Sequence, residues 1–596
     1  MDISSLSKKW CVAAFLLHAS LSPEAATFFV NDNTSSEYVG CSTAAHSTVS
    51  AAVSAARGSN ATPHTINVCP GTYSELGLID TNSNRLANLV ITGLASPADP
   101  TEVIIQGNTA PTATNVFRIR RSGITIQNLT INLGNHSILV ESQGSSFSLI
   151  DVDLNDQDDD CIVVGGNSSS LTRATIDGCG ARGIEYDVNN GSVSLSEITV
   201  SNTGQEGIYL NRLTSGTVSD ITITDSSSNG LSLEDTSNVT FNVSTLTENS
   251  ISGSTASGIT LDNTSDTNSF ADYSVTSNLD GAVLDGASSN TFDNSDFSSN
   301  TTDGIRLIGS ADSNIFTSNT FTNNGDDGLE ILLGDSNSLT TSQVESNSGT
   351  GIEISGGSTL NIIDGNLFFE NTVNGANIAG TGSNSFYDNC SRNVANISDT
   401  STGTTTYTNL GSGNFWGSIP AGTGFSETCM DAGSTSTVQT DDDICDSPFV
   451  DGGTTDTAPL QICDAFFTTH NMILSKTALT FSDPVNGLAS GGNNPKAIPG
   501  ATVLYTITAT NQATDNRIGT ATDITITDDF TSQITGGTLS WNANMVISSP
   551  DAGTNVPLLD PEDGDAGEFL SNLITAQCGD LNAGQSCTFT FSLDVQ

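Results

Sequence analysis

Between Gly183 and Gly375 a small residue followed by apolar, outward and apolar positions recurs nine times. The copies are Gly183-Ile-Glu-Tyr, Gly207-Ile-Tyr-Leu, Gly230-Leu-Ser-Leu, Gly258-Ile-Thr-Leu, Gly281-Ala-Val-Leu, Gly304-Ile-Arg-Leu, Gly328-Leu-Glu-Ile, Gly351-Ile-Glu-Ile and Gly375-Ala-Asn-Ile, spaced by 24, 23, 28, 23, 23, 24, 23 and 24 residues. Within each copy apolar and polar residues alternate, which is the two-residue period of a strand with one buried face. Two further apolar patches follow in each unit, as in Phe292 then Phe297 and Phe316 then Phe321. A repeat of this length with no helical period inside it predicts a solenoid of about three strands per turn. The fold class expected is all-β: a right-handed parallel β-helix with three sheets and 23–24 residues per turn.

The corners support the same reading. Asn268, Asn290, Asn314 and Asn337 keep the period, as do Asn278, Asn300, Asn324, Asn347 and Asn371. Asparagine tolerates left-handed backbone angles and its amide can bond to the copy one turn away, so stacked ladders suit a bend repeated every ~4.8 Å. The phase extends backwards through Asp160-Cys-Ile-Val-Val164 and Ser137-Ile-Leu-Val140 to Val116-Phe-Arg-Ile-Arg120. The first turns, with Thr65-Ile-Asn-Val-Cys-Pro-Gly-Thr-Tyr-Ser-Glu75 after a short helix expected over 48–57, resemble the start of secreted β-helix proteins of the pectate-lyase-like superfamily. In that resemblance the helix caps the open end of the core.

After Asn396 the period fails. Asn414-Phe-Trp-Gly417, the Asp-rich loop at 441–449 and Thr455-Asp-Thr-Ala-Pro-Leu460 resemble the closing segment of β-helix proteins of the carbohydrate-binding and sugar-hydrolase type. That group includes the periplasmic accessory protein of nitrous-oxide reductase maturation, whose copper link finds few His or Met residues in this solenoid. From Met472 longer alternating strands argue for an antiparallel sandwich. The run Pro499-Gly-Ala-Thr-Val-Leu-Tyr-Thr-Ile-Thr-Ala-Thr-Asn511 resembles an Ig-like repeat domain of bacterial surface proteins, which implies a stalk or spacer. The domains expected are a signal peptide (1–26), an N-terminal cap (27–64), the β-helix (65–398), a C-terminal cap and linker (399–471) and the Ig-like sandwich (472–596).

Lys8-Lys9, an apolar run from Trp10 to Leu21 and small residues to Ala26 read as an export signal, too short to span a bilayer. A secreted or surface location follows. The ten cysteines beyond Cys11 then favour disulfides: Cys41 with Cys69, Cys161 with Cys179, Cys578 with Cys587, and Cys390, Cys429, Cys445 and Cys463 in an open pairing. With 66 acidic residues against 15 basic ones the net charge is −51, which excludes nucleic acid as a partner. The partners expected are an extracellular glycan, other surface proteins or a further copy of the chain.

Candidate chemistry lies on the outward positions of the first sheet. Paired carboxylates can act as acid and base on a glycosidic bond when one has a raised pKa. Glu185, Asp187 and Glu234, with Arg182 and Arg212, are the catalytic candidates; Tyr209, Asn211, Arg118 and Arg120 are the ligand-binding ones. Gln157-Asp-Asp-Asp-Cys-Ile162 resembles a strand of polygalacturonases, but Ala181-Arg-Gly183 stands where that family has Gly-His-Gly. No cofactor is required by any motif. Asp280, Asp303, Asp326 and Asp327 fall in file on successive turns, and calcium is the ion whose oxygen chemistry suits such a file. Two readings of function remain: a structural or adhesive surface β-helix, or a carbohydrate-active enzyme with a groove around residues 118–234, walled by the 28-residue turn after Gly230.

Overall fold

A computed structural model describes residues 25–416 apart from 33–37, 61, 76–77, 95–99, 109–113, 244–248, 263, 394 and 408–413; beyond that it describes 449–451, 454–456, 472–485, 487–488, 496–511, 521–530, 539–550, 553–558, 567–570, 573–582 and 584–596. The expected leader up to residue 24 and Cys429, Cys445 and Cys463 lie outside the described residues. The chain divides into two compact units, Met1–Gln461 and Ile462–Gln596.

The first unit is a parallel β-helix. Its first sheet is a column of fourteen strands from Ile79–Asp80 to Ile397–Asp399, each paired in parallel with the strand one turn on. The register sets Ile184 beside Ile208, Leu231, Ile259, Ala282, Ile305, Leu329, Ile352 and Ala376 in succession, so the nine copies stack in phase. A second sheet begins at Ala26–Val30, which pairs with His64–Val68, so the region expected as a cap also contributes a strand. A third sheet begins at Gly71–Ser74 and runs to Phe415–Trp416.

One apolar core fills the coil from Val30 to Tyr407. Phe241, Phe270, Phe292 and Phe316 stack along it with centroids 4.4, 4.7 and 5.4 Å apart, each buried ring contributing on the order of 2 kcal/mol. The helix Val49–Gly58 turns Val49, Ala52, Val53 and Ala56 inward. Thr48 caps it by accepting from the Ala51 N–H at 3.2 Å, and the buried Glu75 carboxylate accepts from the Val49 N–H. Disulfides join Cys41 to Cys69 and Cys161 to Cys179; Cys390 is also disulfide-bonded.

The glycine column has a steric reason. A Cβ at Gly281 would stand 2.3 Å from the Gly304 carbonyl oxygen, and at Gly304 2.4 Å from that of Gly328. At the glycine-marked turns the corner before the first-sheet strand passes so close to the next turn that only a hydrogen fits.

The asparagine ladders bond from turn to turn as expected, but their backbone angles are not the left-handed ones. Left-handed angles occur at the residue before each ladder position, Ser277, Ser299, Asn323, Ser346 and Glu370, not at Asn278, Asn300, Asn324, Asn347 or Asn371 themselves. The ladder side chains are buried and satisfy backbone. Asn324 Oδ1 accepts from the Asn300 N–H at 3.0 Å, and its Nδ2 donates to the Phe297 carbonyl at 3.0 Å. The series from Asn268 continues to Asn361 and Asn384. A third ladder, absent from the sequence reading, runs through Ser295, Asn319, Ser342, Asn366, Asn389 and Asn414. It ends on the Asp456 carboxylate, which accepts from the Asn414 N–H at 2.7 Å.

The second unit contains a six-stranded antiparallel sheet and a three-stranded one around a shared core. Cys578–Cys587 joins a strand of each.

Replacing Asn324 with Ala strands the Asn300 N–H and the Phe297 carbonyl in the core, so a loss of about 3 kcal/mol of local stability is expected. Amide exchange at Asn300 measures it. Asn324→Ser should lose less, because Ser295 and Ser342 hold equivalent places in the third ladder.

Candidate functional site

The outward residues of the first sheet form two files. One carries Arg118, Glu185, Tyr209, Arg306, Glu330 and Glu353. The other carries Arg120, Asp187, Asn211, Glu234, Asp262 and Asp285. Because strands alternate faces with period two, residues two apart in one strand head separate files one strand spacing from their counterparts.

In the N-terminal half the sequence-predicted residues come together, and they bind one another. Arg118 bonds Glu141, and Arg120 reaches Asp80 at 2.9 Å. Arg182 bridges Glu185 at 2.9 Å and Glu206 at 3.0 Å, with its guanidinium 4.1 Å over the Tyr209 ring. The Tyr209 hydroxyl donates to Glu234, and Arg212 Nε donates to Asp187 at 2.7 Å. Burial pushes the Glu185 carboxyl up, the nearby Asp160 adds to that, and Arg182 opposes it. Asn211 Oδ1 is buried with no hydrogen-bond partner among the described residues. The extra residues of the long turn fall between Val239–Asn242 and Asn249–Ser252, the corner joining second and third sheets. Residues 244–248 of that insertion, on which the expected wall depends, lie outside the described residues.

A groove of about 550 Å³ lies four turns further on, where the corner before the first sheet meets the first outward file. Six carboxyl groups line it, those of Asp280, Asp303, Asp326, Asp327, Glu330 and Glu353, against one cation, Arg306. Arg306 Nε donates to Glu330 at 2.7 Å. Asp280, Asp303 and Asp327 stack as anticipated, each turned to backbone on the following turn. Asp303 Oδ1 accepts from the Asp327 N–H at 3.0 Å and Asp327 Oδ1 from the Thr350 N–H at 2.6 Å. Asn229 does the same for Ser257 at 3.1 Å, so the place needs an acceptor and not a charge.

Burial pushes the Asp303 and Asp327 carboxyls up to about 7; the accepted N–H bonds oppose it, and neighbouring Asp and Glu side chains add to it. Four of its carboxyls, Asp280, Asp303, Asp326 and Asp327, are the file marked in the sequence, and the strands add Glu330 and Glu353, which the sequence did not join to it. Chemically it is a row of hydroxyl acceptors in which two members exchange protons near neutral pH. Among the described residues no group of three or more His, Cys, Asp or Glu side chains is arranged for a metal ion.

The family model for a right-handed β-helix region matches residues 115–272. The chain is a right-handed parallel β-helix protein. The model for the periplasmic copper-binding protein NosD matches residues 245–422, on the solenoid turns more than on the closing segment where the sequence resemblance lay. Soft copper donors are missing from those turns: no Met or His lies between 245 and 422, and the described cysteine, Cys390, is oxidised. The residues present therefore do not fit copper.

No curated protein matches this β-helix protein. Among solved structures, the A-module of Azotobacter vinelandii mannuronan C-5 epimerase AlgE6 is 12% identical over 60% of this chain and 92% of that chain, with a TM-score of 0.36. The Dettilon tailspike protein is 10% identical over 92% and 90%, TM-score 0.33. DFA-IIIase from Arthrobacter chlorophenolicus A6, in complex with GF2, is 13% identical over 60% and 93%, TM-score 0.34. At these levels nothing of their chemistry transfers.

The raised carboxyls give a signed pH dependence. A carboxyl whose folded pKa is about 7 against an ordinary 3.8 lets the folded state hold the extra proton between those values. Its stabilising contribution is complete below the unfolded pKa and is lost as pH rises through the folded one. Asp303→Asn and Asp327→Asn keep the acceptor and remove the titration. Denaturation followed from pH 4 to 8 should show a shallower decline than in the parent, with the variants more stable above about pH 7.

Proposed function

We propose that this is an exported β-helix that serves a structural or adhesive role by holding a polysaccharide strand along the first sheet, with the C-terminal sandwich as stalk or connector. The observation that carries this reading is the acidic groove at Asp303, Asp327, Glu330 and Glu353. Carboxylates are acceptors for sugar hydroxyls, and a long parallel sheet offers the same acceptors every turn. The electrostatics favour neutral or amino polysaccharides over polyuronates, which meet a chain of net charge −51. Export is supported by the apolar leader and by the disulfides, which persist in oxidising compartments. No described helix is long and apolar enough to cross a membrane.

Glu185, Asp187, Glu234, Arg182 and Arg212 serve turn-to-turn cohesion in this proposal, since each is bonded to another of the set or to a neighbouring turn. One observation favours the second reading, a carbohydrate-active enzyme. Asp303 and Asp327 carry protons near neutral pH beside the carboxyls of Glu330 and Glu353, and acid and base roles on a glycosidic bond need such a division.

Affinity electrophoresis in gels containing xylan, glucan, chitosan or alginate separates the readings. Retardation by the neutral or amino polymers is expected, with Glu330→Gln/Glu353→Gln weakening it at least about tenfold and Glu185→Gln/Glu234→Gln leaving it unchanged. Retardation by alginate alone, or by none, contradicts the binding proposal. Turnover of a retained polymer that is lost in Asp327→Asn establishes the enzyme instead.

A further inference from the structure

The strand Met472–Asp483 lies at the edge of the six-stranded sheet, and its open side points to an interaction that the polysaccharide groove does not explain. On one side it pairs antiparallel with Thr502–Asn511 over ten residue pairs. On the other side the only partner among the described residues is Gly487–Leu488, at Ser482 and Asp483. From Met472 to Phe481 every second N–H and C=O is therefore turned outward with no strand to receive it among the described residues. Such an edge is a template for a further strand, and folded proteins blunt it with charges, prolines or short length. This one has twelve residues, no proline and one cation, Lys476. Lys476 is already bound, its Nζ 2.5 Å from Asp528.

The side chains are equally open. Ile473, Leu474, Leu479 and Phe481 are 42%, 66%, 60% and 45% exposed, and they occupy both faces of the strand.

We infer that this edge pairs with the same edge of a second copy of the chain, antiparallel, to make one continuous sheet across two sandwiches. Charge selects the partner. The chain carries 66 acidic residues, yet Met472–Ser482 has none, so two copies meet through a segment from which their mutual repulsion is absent. The sequence is also self-compatible. A two-fold axis through Thr477, perpendicular to the sheet, sets Leu474 opposite Thr480, Ser475 opposite Leu479 and Lys476 opposite Ala478. No two lysines face each other, and each pair stays on one face of the sheet as the pleat requires. Main-chain hydrogen bonds supply the register and the four apolar side chains gain cover.

Sedimentation velocity of the full chain, with no glycan present, tests this over about 1–100 µM, the range suited to an interface of a single strand pair. The expected result is a monomer–dimer equilibrium with the amides of Ile473 to Phe481 gaining exchange protection as the dimer forms. Leu479→Lys should weaken association at least about tenfold, and Ala478→Pro, which removes an N–H from the open edge, should abolish it. Leu479 is exposed, so its variant folds even where the proline variant does not. A monomer throughout the range overturns the proposal. So does association that Leu479→Lys leaves unchanged, or a dimer in which these amides exchange freely. Loss of glycan binding with the dimer intact would refute the groove and leave this edge pairing standing.

Discussion

The structure depends on one constraint: each corner of the coil buries backbone N–H groups that strands cannot satisfy, and a side chain from the neighbouring turn must accept from them. An unpaired buried amide costs on the order of 1–3 kcal/mol, and a coil with three corners repeats that demand every turn. Asn answers it best, since one amide accepts and donates at once, as Asn324 does between Asn300 and Phe297. Ser and Asp answer it in part, and both appear in the same files. Register follows from this requirement as much as from apolar packing, because a slip by one residue would orphan every ladder together.

The same demand explains the distribution of charge. At the corner before the first sheet, Asn229 and Asp303 do the same job for the next turn, but Asp brings a charge that burial resists. Three such aspartates near one another, with Asp326, Glu330 and Glu353 alongside, leave a local excess of carboxyl groups that Arg306 does not balance. In the N-terminal turns the balance is closer, with Arg182 satisfying two glutamates and stacking on Tyr209. A groove able to exchange protons and accept hydroxyls thus arises where a structural position has been filled with Asp in place of Asn.

The stacking was legible because glycine marks the phase and the cause is steric: Gly281 and Gly304 admit no Cβ against the next turn's carbonyl. The helix at Val49–Gly58 was legible from Thr48 and its apolar face. The third ladder was hidden, because it alternates Ser295, Asn319, Ser342 and Asn366 and so shows no single-letter period. Its terminus on Asp456 joins residues 42 apart, beyond the reach of a 23-residue repeat. The outward residues were legible as a set but not as two files, since parity along a strand decides which neighbours meet. The aspartate file of the groove was legible, but its union with Glu330 and Glu353 was not, because a corner and a strand contribute to it jointly.

Position in sequence becomes height along one axis of the coil. Spin labels at Arg118→Cys paired with Tyr209→Cys, Arg306→Cys or Asn377→Cys stand four, eight and eleven turns apart in the same outward file. Dipolar distances should rise in proportion, to roughly 20, 40 and 50 Å at ~4.8 Å per turn. Distances that fail to grow with turn number, or that fall back at Asn377, would contradict it.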